Sequence, residues 1–196
     1  MKPILFNTEM VRAILDGRKS CTRRLVKFLL GENPKWTGYI KAGLMLYNGR
    51  NEPCIRTQPY QSGDILYVRE TWCKGLERYI YRADYSDTEK FYQDGKEINM
   101  KWQPSLHMPK EAARIFLRVT NVRVERLQEI TSEQICKEGV EVEDPYGLNG
   151  EEKRYAFSNL WNSTIKESDL DRYGWNANPW VWVIEFERCD KPESER

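Results

Sequence analysis

The eight residues Gly17-Arg18-Lys19-Ser20-Cys21-Thr22-Arg23-Arg24 hold four cationic side chains, two hydroxyls and a thiol, directly after a helix stop signal. A crowded and partly buried lysine gives up its proton more readily than one in water, which makes Lys19 a candidate base. The same cluster would attract phosphate. A solvated basic loop is the plain alternative. If the chain is extended from Thr22 onward, Thr22 and Arg24 share one face and Arg23 points the other way.

The rest of the composition narrows the chemistry. His107 is the only histidine, so a Ser-His-Asp or Cys-His apparatus has no base unless His107 supplies it. Cys21, Cys54, Cys73, Cys136 and Cys189 are odd in number and widely spaced, with no CxxC pair. That spacing fits neither a zinc site nor a disulfide framework and points to a reducing, cytoplasmic setting. No metal or organic cofactor is called for. The net charge is only +1, so electrostatic steering must come from local patches. No apolar run reaches the ~18 residues of a membrane span, and the N-terminus lacks the pattern of a signal peptide. Seven tryptophans and eleven tyrosines are the one excess. They suit a packed core with aromatic pairs, or a few could stack on a flat ligand such as a base.

The elements that must position the cluster can be read from periodicity. Asn7 or Thr8 can cap a helix from Thr8 to Asp16, with Val11, Ile14 and Leu15 on its buried face and Gly17 to end it. Ser62-Gly63-Asp64 marks a turn before a strand at Ile65 to Val68, and a second strand is expected at Tyr79 to Arg82. The longest β pattern runs from Ile115 to Leu127 and slips by one residue at Thr120-Asn121, where a bulge or tight turn fits. Thr131-Ser132-Glu133-Gln134 is a capping box for a short helix ending near Gly139. Phe157, Leu160, Trp161 and Thr164 recur at helical spacing. Trp180 to Phe186 is apolar on both faces and predicts an interior strand. Proline and glycine interrupt 28–61, and 84–110 is also irregular, so both are expected as insertions in a single domain over 1–189. The charged tail, 190–196, is expected to be disordered. The fold class is α+β, a barrel-like sheet with short flanking helices.

Gly17-Arg18-Lys19 with Arg24, then the Gly63-Asp64 turn into a strand, resembles the pattern of ASCH domains, which are PUA-like β-barrels. Leu15-Asp16-Gly17-Arg18-Lys19, Val68-Arg69-Glu70-Thr71-Trp72, Ser105-Leu106-His107-Met108-Pro109 and Asn178-Pro179-Trp180-Val181-Trp182-Val183 are similar to the larger ASCH-like proteins carried by phages and prophages. The resemblance spans nearly the whole chain. It implies a PUA-like barrel with a cleft beside the first helix. Some small ASCH proteins are amidohydrolases that remove the acetyl group from N4-acetylcytidine. They use a lysine as proton acceptor, a threonine as nucleophile and a glutamate as proton donor. By motif those residues correspond here to Lys19, Thr22 and Glu138.

That assignment is chemically coherent, because a hydroxyl is a weak nucleophile without a nearby base. A neutral Lys19 amine, three positions from Thr22 and so expected around one turn from it, would take the Thr22 proton. Glu138 would protonate the leaving exocyclic nitrogen. Arg18 and Arg24 are candidate contacts to substrate, with Arg24 suited to an oxyanion or a phosphate. Trp72, Trp102 and His107 are candidate base contacts from the segments expected to rim the site. The expected partner is a modified pyrimidine nucleoside or a single-stranded nucleic acid. The alternatives to the hydrolase are a non-catalytic RNA- or DNA-binding module and a metal-independent ribonuclease.

Overall fold

The side chain of Asn7 accepts a hydrogen bond from the Met10 N–H at 2.9 Å and opens the first helix, and Gly17 turns the chain out of it at φ +77°. In this computed structural model residues 1–27, 40–41, 45–46, 58–76, 78–93, 95–141 and 150–193 are described. In chain order the elements are β1 (Lys2–Leu5), α1 (Thr8–Leu15), β2 (Cys21–Leu25), β3 (Ile40–Lys41), β4 (Met45–Leu46), β5 (Ile65–Arg69), β6 (Trp72–Lys74), β7 (Tyr79–Tyr81), β8 (Phe91–Gln93), β9 (Lys96–Ile98), β10 (Phe116–Arg126), α2 (Ser132–Lys137), α3 (Gly150–Ser163), α4 (Leu170–Tyr173) and β11 (Trp180–Cys189).

The main sheet has the order β1-β5-β10-β11-β2, and β3–β4, β6–β7 and β8–β9 are two-stranded pairs. The class is α+β. Among the described residues the five strands form an open sheet rather than the closed barrel expected, with β1 and β2 as its outer strands. No helix of the described residues is long and apolar enough to cross a membrane.

The chain divides into two compact units. The first comprises Met1–Gly17, Asp64–Arg118 and Glu187–Arg196. In it β1 runs parallel to β5, with Lys2 opposite Leu66, and Phe116 of β10 lies antiparallel opposite Tyr67. Ile4, Val11, Ile14, Leu66, Val68 and Met108 are buried there. Glu70 is also buried, and Arg114 takes both its carboxylate oxygens at 3.0 Å each. The same guanidinium donates to Asp84 at 2.8 Å and lies 4.0 Å over the Tyr81 ring. Within 84–110, expected as irregular, Phe91–Gln93 pairs with Lys96–Ile98. Three-residue strands are too short for a period-2 pattern to announce them.

The second unit comprises Arg18–Gly63 and Val119–Phe186. Most of 28–61, expected as the other insertion, lies outside the described residues, as do 142–149 and the last three residues of the expected disordered tail. Strand β11 runs antiparallel to β2, with Val183 opposite Arg23 and Ile184 opposite Thr22. Cys21, Leu127, Ile130, Ile135, Phe157, Trp161, Val181 and Val183 pack into one buried cluster, to which α2 gives Ile135 and α3 gives Phe157 and Trp161. Strand β10 runs unbroken for eleven residues, so the slip at Thr120-Asn121 is no tight turn. The phase still changes there: Thr120 and Asn121 are both exposed between buried Val119 and Val122.

Candidate functional site

Thr131 caps α2 by accepting from the Gln134 N–H at 3.3 Å, while the Gln134 side chain accepts from the Thr131 N–H at 3.0 Å. This predicted capping box starts a helix of only six residues. Glu138 therefore falls at its C-terminal cap, and Gly139 at φ +84° ends it. The chain entering β2 runs along this terminus: Ser20 N–H donates to Lys137 O at 2.9 Å, and Lys19 and Glu138 form an antiparallel bridge.

That backbone pairing puts the Lys19 ammonium against the end of α2. Its Nζ lies 2.8 Å from each of Glu138 Oε2, Glu138 O and Cys21 O. Three oxygens call for three N–H donors, the complement of a protonated amine. The Lys19 and Glu138 side chains are 0% and 5% exposed, so the pair is shielded from solvent. Arg23 takes the other carboxylate oxygen, Glu138 Oε1, at 3.1 Å. Its second amino group donates to Gln134 Oε1 at 2.9 Å and reaches Glu125 Oε2 at 3.4 Å. Glu125 in turn meets Arg123, which pairs with Glu185. A buried ion pair thus runs outward into alternating charges along β10 and β11.

Cys21 sits inside this arrangement and is no thiolate nucleophile. Burial, reinforced by the Glu138 charge, pushes its thiol up to about 12, against the pull of Arg23 and Lys19. Burial likewise lowers Arg24 from its ordinary value, opposed by the charges of Glu138 and Tyr60.

No family model, curated protein or solved structure matches this chain.

Of the residues singled out from the sequence, the structure brings Lys19 and Glu138 into contact across 119 positions. It does not put Lys19 and Thr22 on one helical turn, because residues 21–25 are a strand. Strand alternation sends Cys21 and Arg23 to the Glu138 side and Thr22 and Arg24 to the other. Thr22 is 2% exposed. The Lys19 ammonium is held at the Cys21 carbonyl, on the peptide that leads into Thr22. Arg18 donates to Gly139 O at 3.2 Å and pairs with Glu141 at 3.0 Å, a largely solvated contact.

Trp72, Trp102 and His107 belong to the first unit. Trp72 opens β6, pairs its backbone with Gln103 in both directions, and meets Tyr79 edge-on at 5.5 Å. It lines an open groove with Lys74, Asn99, Lys101 and Gln103. Trp102 packs at 5.8 Å from Phe91 and 6.2 Å from Tyr85, with Arg82 over its ring. His107 is exposed at the end of a short 3-10 turn, Ser105–His107. Among the described residues no group of three or more His, Cys, Asp and Glu side chains is arranged to hold a metal.

Sequence reasoning missed Arg23, Gln134 and Glu125. Gln134 was legible as a cap, and its second task of receiving Arg23 leaves no trace in the capping-box pattern. Arg23 was set aside for facing away from Thr22, which it does, toward Glu138.

Proposed function

We propose that the chain is an ASCH-type, PUA-like domain that hydrolyses the acyl amide of an N4-acylated cytidine, with Lys19 and Glu138 handling the protons. The observation that carries this reading is the buried 2.8 Å contact between Lys19 Nζ and Glu138 Oε2. Moving one proton along that contact converts ammonium and carboxylate into amine and carboxylic acid, the base and the acid that amide cleavage needs.

The reaction then balances in two halves. Thr22 Oγ1 attacks the acyl carbonyl and its proton goes to the Lys19 amine. Glu138 gives its proton to N4 as the C–N bond breaks, so cytidine leaves and the acyl group remains as an ester on Thr22. Lysine and glutamate are now ammonium and carboxylate. Water attacks the ester, its proton goes to Glu138, and Lys19 returns a proton to the departing Thr22 oxygen. Arg24, on the Thr22 face, serves the carbonyl oxygen as negative charge builds on it. Thr22 is 2% exposed and lies across β2 from the Glu138 carboxylate, so the reaction requires β2 and the end of α2 to part far enough for substrate to meet Thr22, Lys19 and Glu138 together.

The charge pattern favours a small ligand over a polymer. Three of the four cations in the motif, Arg18, Lys19 and Arg23, are already paired with carboxylates of the same unit. Little positive charge is left over for a run of phosphates. The groove beside Trp72, flanked by Lys74 and Lys101, is the one observation favouring the second reading, a nucleic-acid-binding module that stacks a base. The test is to incubate the protein with N4-acetylcytidine and follow cytidine by chromatography, beside Lys19→Ala. Turnover that the substitution abolishes supports the reading; a folded wild type that releases no cytidine overturns it.

A further inference from the structure

We infer that Arg23 is a positioning residue that fixes the Glu138 carboxylate in the rotamer that receives Lys19. This rests on the proton-handling reading of Lys19 and Glu138. Glu138 stands at the end of a six-residue helix, where the backbone by itself holds a side chain loosely. Its two oxygens are divided between two cations, Oε1 to Arg23 at 3.1 Å and Oε2 to Lys19 at 2.8 Å. With Oε1 taken, the carboxylate plane can present only Oε2 to Lys19.

The arginine is itself held on the same helix. Its other amino group donates to Gln134 Oε1 at 2.9 Å, one turn before Glu138, and that oxygen also accepts from the Thr131 N–H at the cap. One rigid guanidinium therefore spans positions 134 and 138 on a single face of α2. Glu125 on β10 adds a longer contact at 3.4 Å. The Arg23 side chain is 1% exposed, and its Nε is buried with no hydrogen-bond partner among the described residues. Among the described residues Cys21 and Arg24 of β2 also feel the Glu138 charge. Glu185 of β11 acts on Cys21, and Glu125 and Arg123 of β10 lie along the chain of charges leading from Arg23. A lysine at position 23 would keep the positive charge but could not bridge Gln134 and Glu138 as a planar fork does.

The experiment compares wild type, Arg23→Lys and Arg23→Gln by two independent readouts. The first is the ammonium NMR signal of Lys19 in lysine-labelled protein, assigned by its loss in Lys19→Gln. The slow exchange of its protons reports the seat on Glu138. The second is kcat and KM on N4-acetylcytidine. The expected result is a folded Arg23→Lys protein whose Lys19 ammonium protons exchange at least tenfold faster, and whose kcat falls about a hundredfold with KM little changed. Unaltered Lys19 exchange in either folded variant overturns the assignment. Absence of turnover in the wild type would defeat the hydrolase reading alone, because the ammonium signal still decides the role of Arg23. If Arg23→Gln does not fold, Arg23→Lys carries the comparison.

Discussion

Replacing Glu138 by glutamine keeps the side chain's shape and removes its charge, which leaves Lys19 and Arg23 facing each other's charge in a closed setting. The two side chains are 0% and 1% exposed, so solvent screening gives little relief. Glu125 still reaches Arg23, at 3.4 Å, while Lys19 loses its 2.8 Å contact with the Oε2 charge. Breaking a buried pair by removing one partner costs about 3–5 kcal/mol, because the remaining ion is left uncompensated. At roughly 3 °C per kcal/mol for a chain of this length, the melting temperature falls by about 10 °C. The assay is urea unfolding of wild type, Glu138→Gln, Lys19→Met and the double variant. The double variant should recover part of the loss, with a coupling energy on the order of 2 kcal/mol. A Glu138→Gln protein within about 0.5 kcal/mol of wild type would refute the picture of a solvent-excluded pair.

Two further outcomes follow from buried charge elsewhere. In the first unit, Arg114→Ala strands the buried Glu70 carboxylate and should cost about 3–5 kcal/mol by urea unfolding. Burial already raises the Glu70 carboxyl, so that deficit should shrink as the pH falls and the group takes up a proton. The Cys21 thiol stands at about 12 in the folded chain against an ordinary 9.0. The unfolded chain therefore loses that proton first, and stability that is intact below pH 9 should decline by up to about 1.4 kcal/mol per pH unit until the folded thiol also ionises. Unfolding curves taken at rising pH check this, and Cys21→Ala should flatten the slope.

Much of the frame was legible because local signals agreed with one another. Asn7, the Val11/Ile14 spacing and Gly17 all specify the same helix, and the doubly apolar run at Trp180 to Phe186 could only be an interior strand. Strand β11 does lie inside the sheet, between β10 and β2. Other parts had no signal to read. Hairpins with three-residue strands, such as β8–β9, offer one alternation at most. The turn assumed between Lys19 and Thr22 failed because two β-sheet neighbours, β11 on one side and the bridge to Glu138 on the other, hold that stretch extended. Nothing in the spacing announced the contact between Lys19 and Glu138, and the motif resemblance implied a proton acceptor and a proton donor without a bond between them. Arg23 was hidden for a different reason. Alternation tells which side chains share a face, and it says nothing about what covers that face until α2 is docked on it.

The most direct measurement is kcat/KM on N4-acetylcytidine as a free nucleoside, set beside the same acylated base carried in a short single-stranded RNA. The expected result is turnover of the nucleoside, lost in Lys19→Ala and in Glu138→Gln, and a poorer rate on the RNA because three of the motif's four cations are paired with carboxylates. No turnover of either, or a preference for the RNA that weakens steeply with added salt, would contradict it and turn attention to the Trp72 groove.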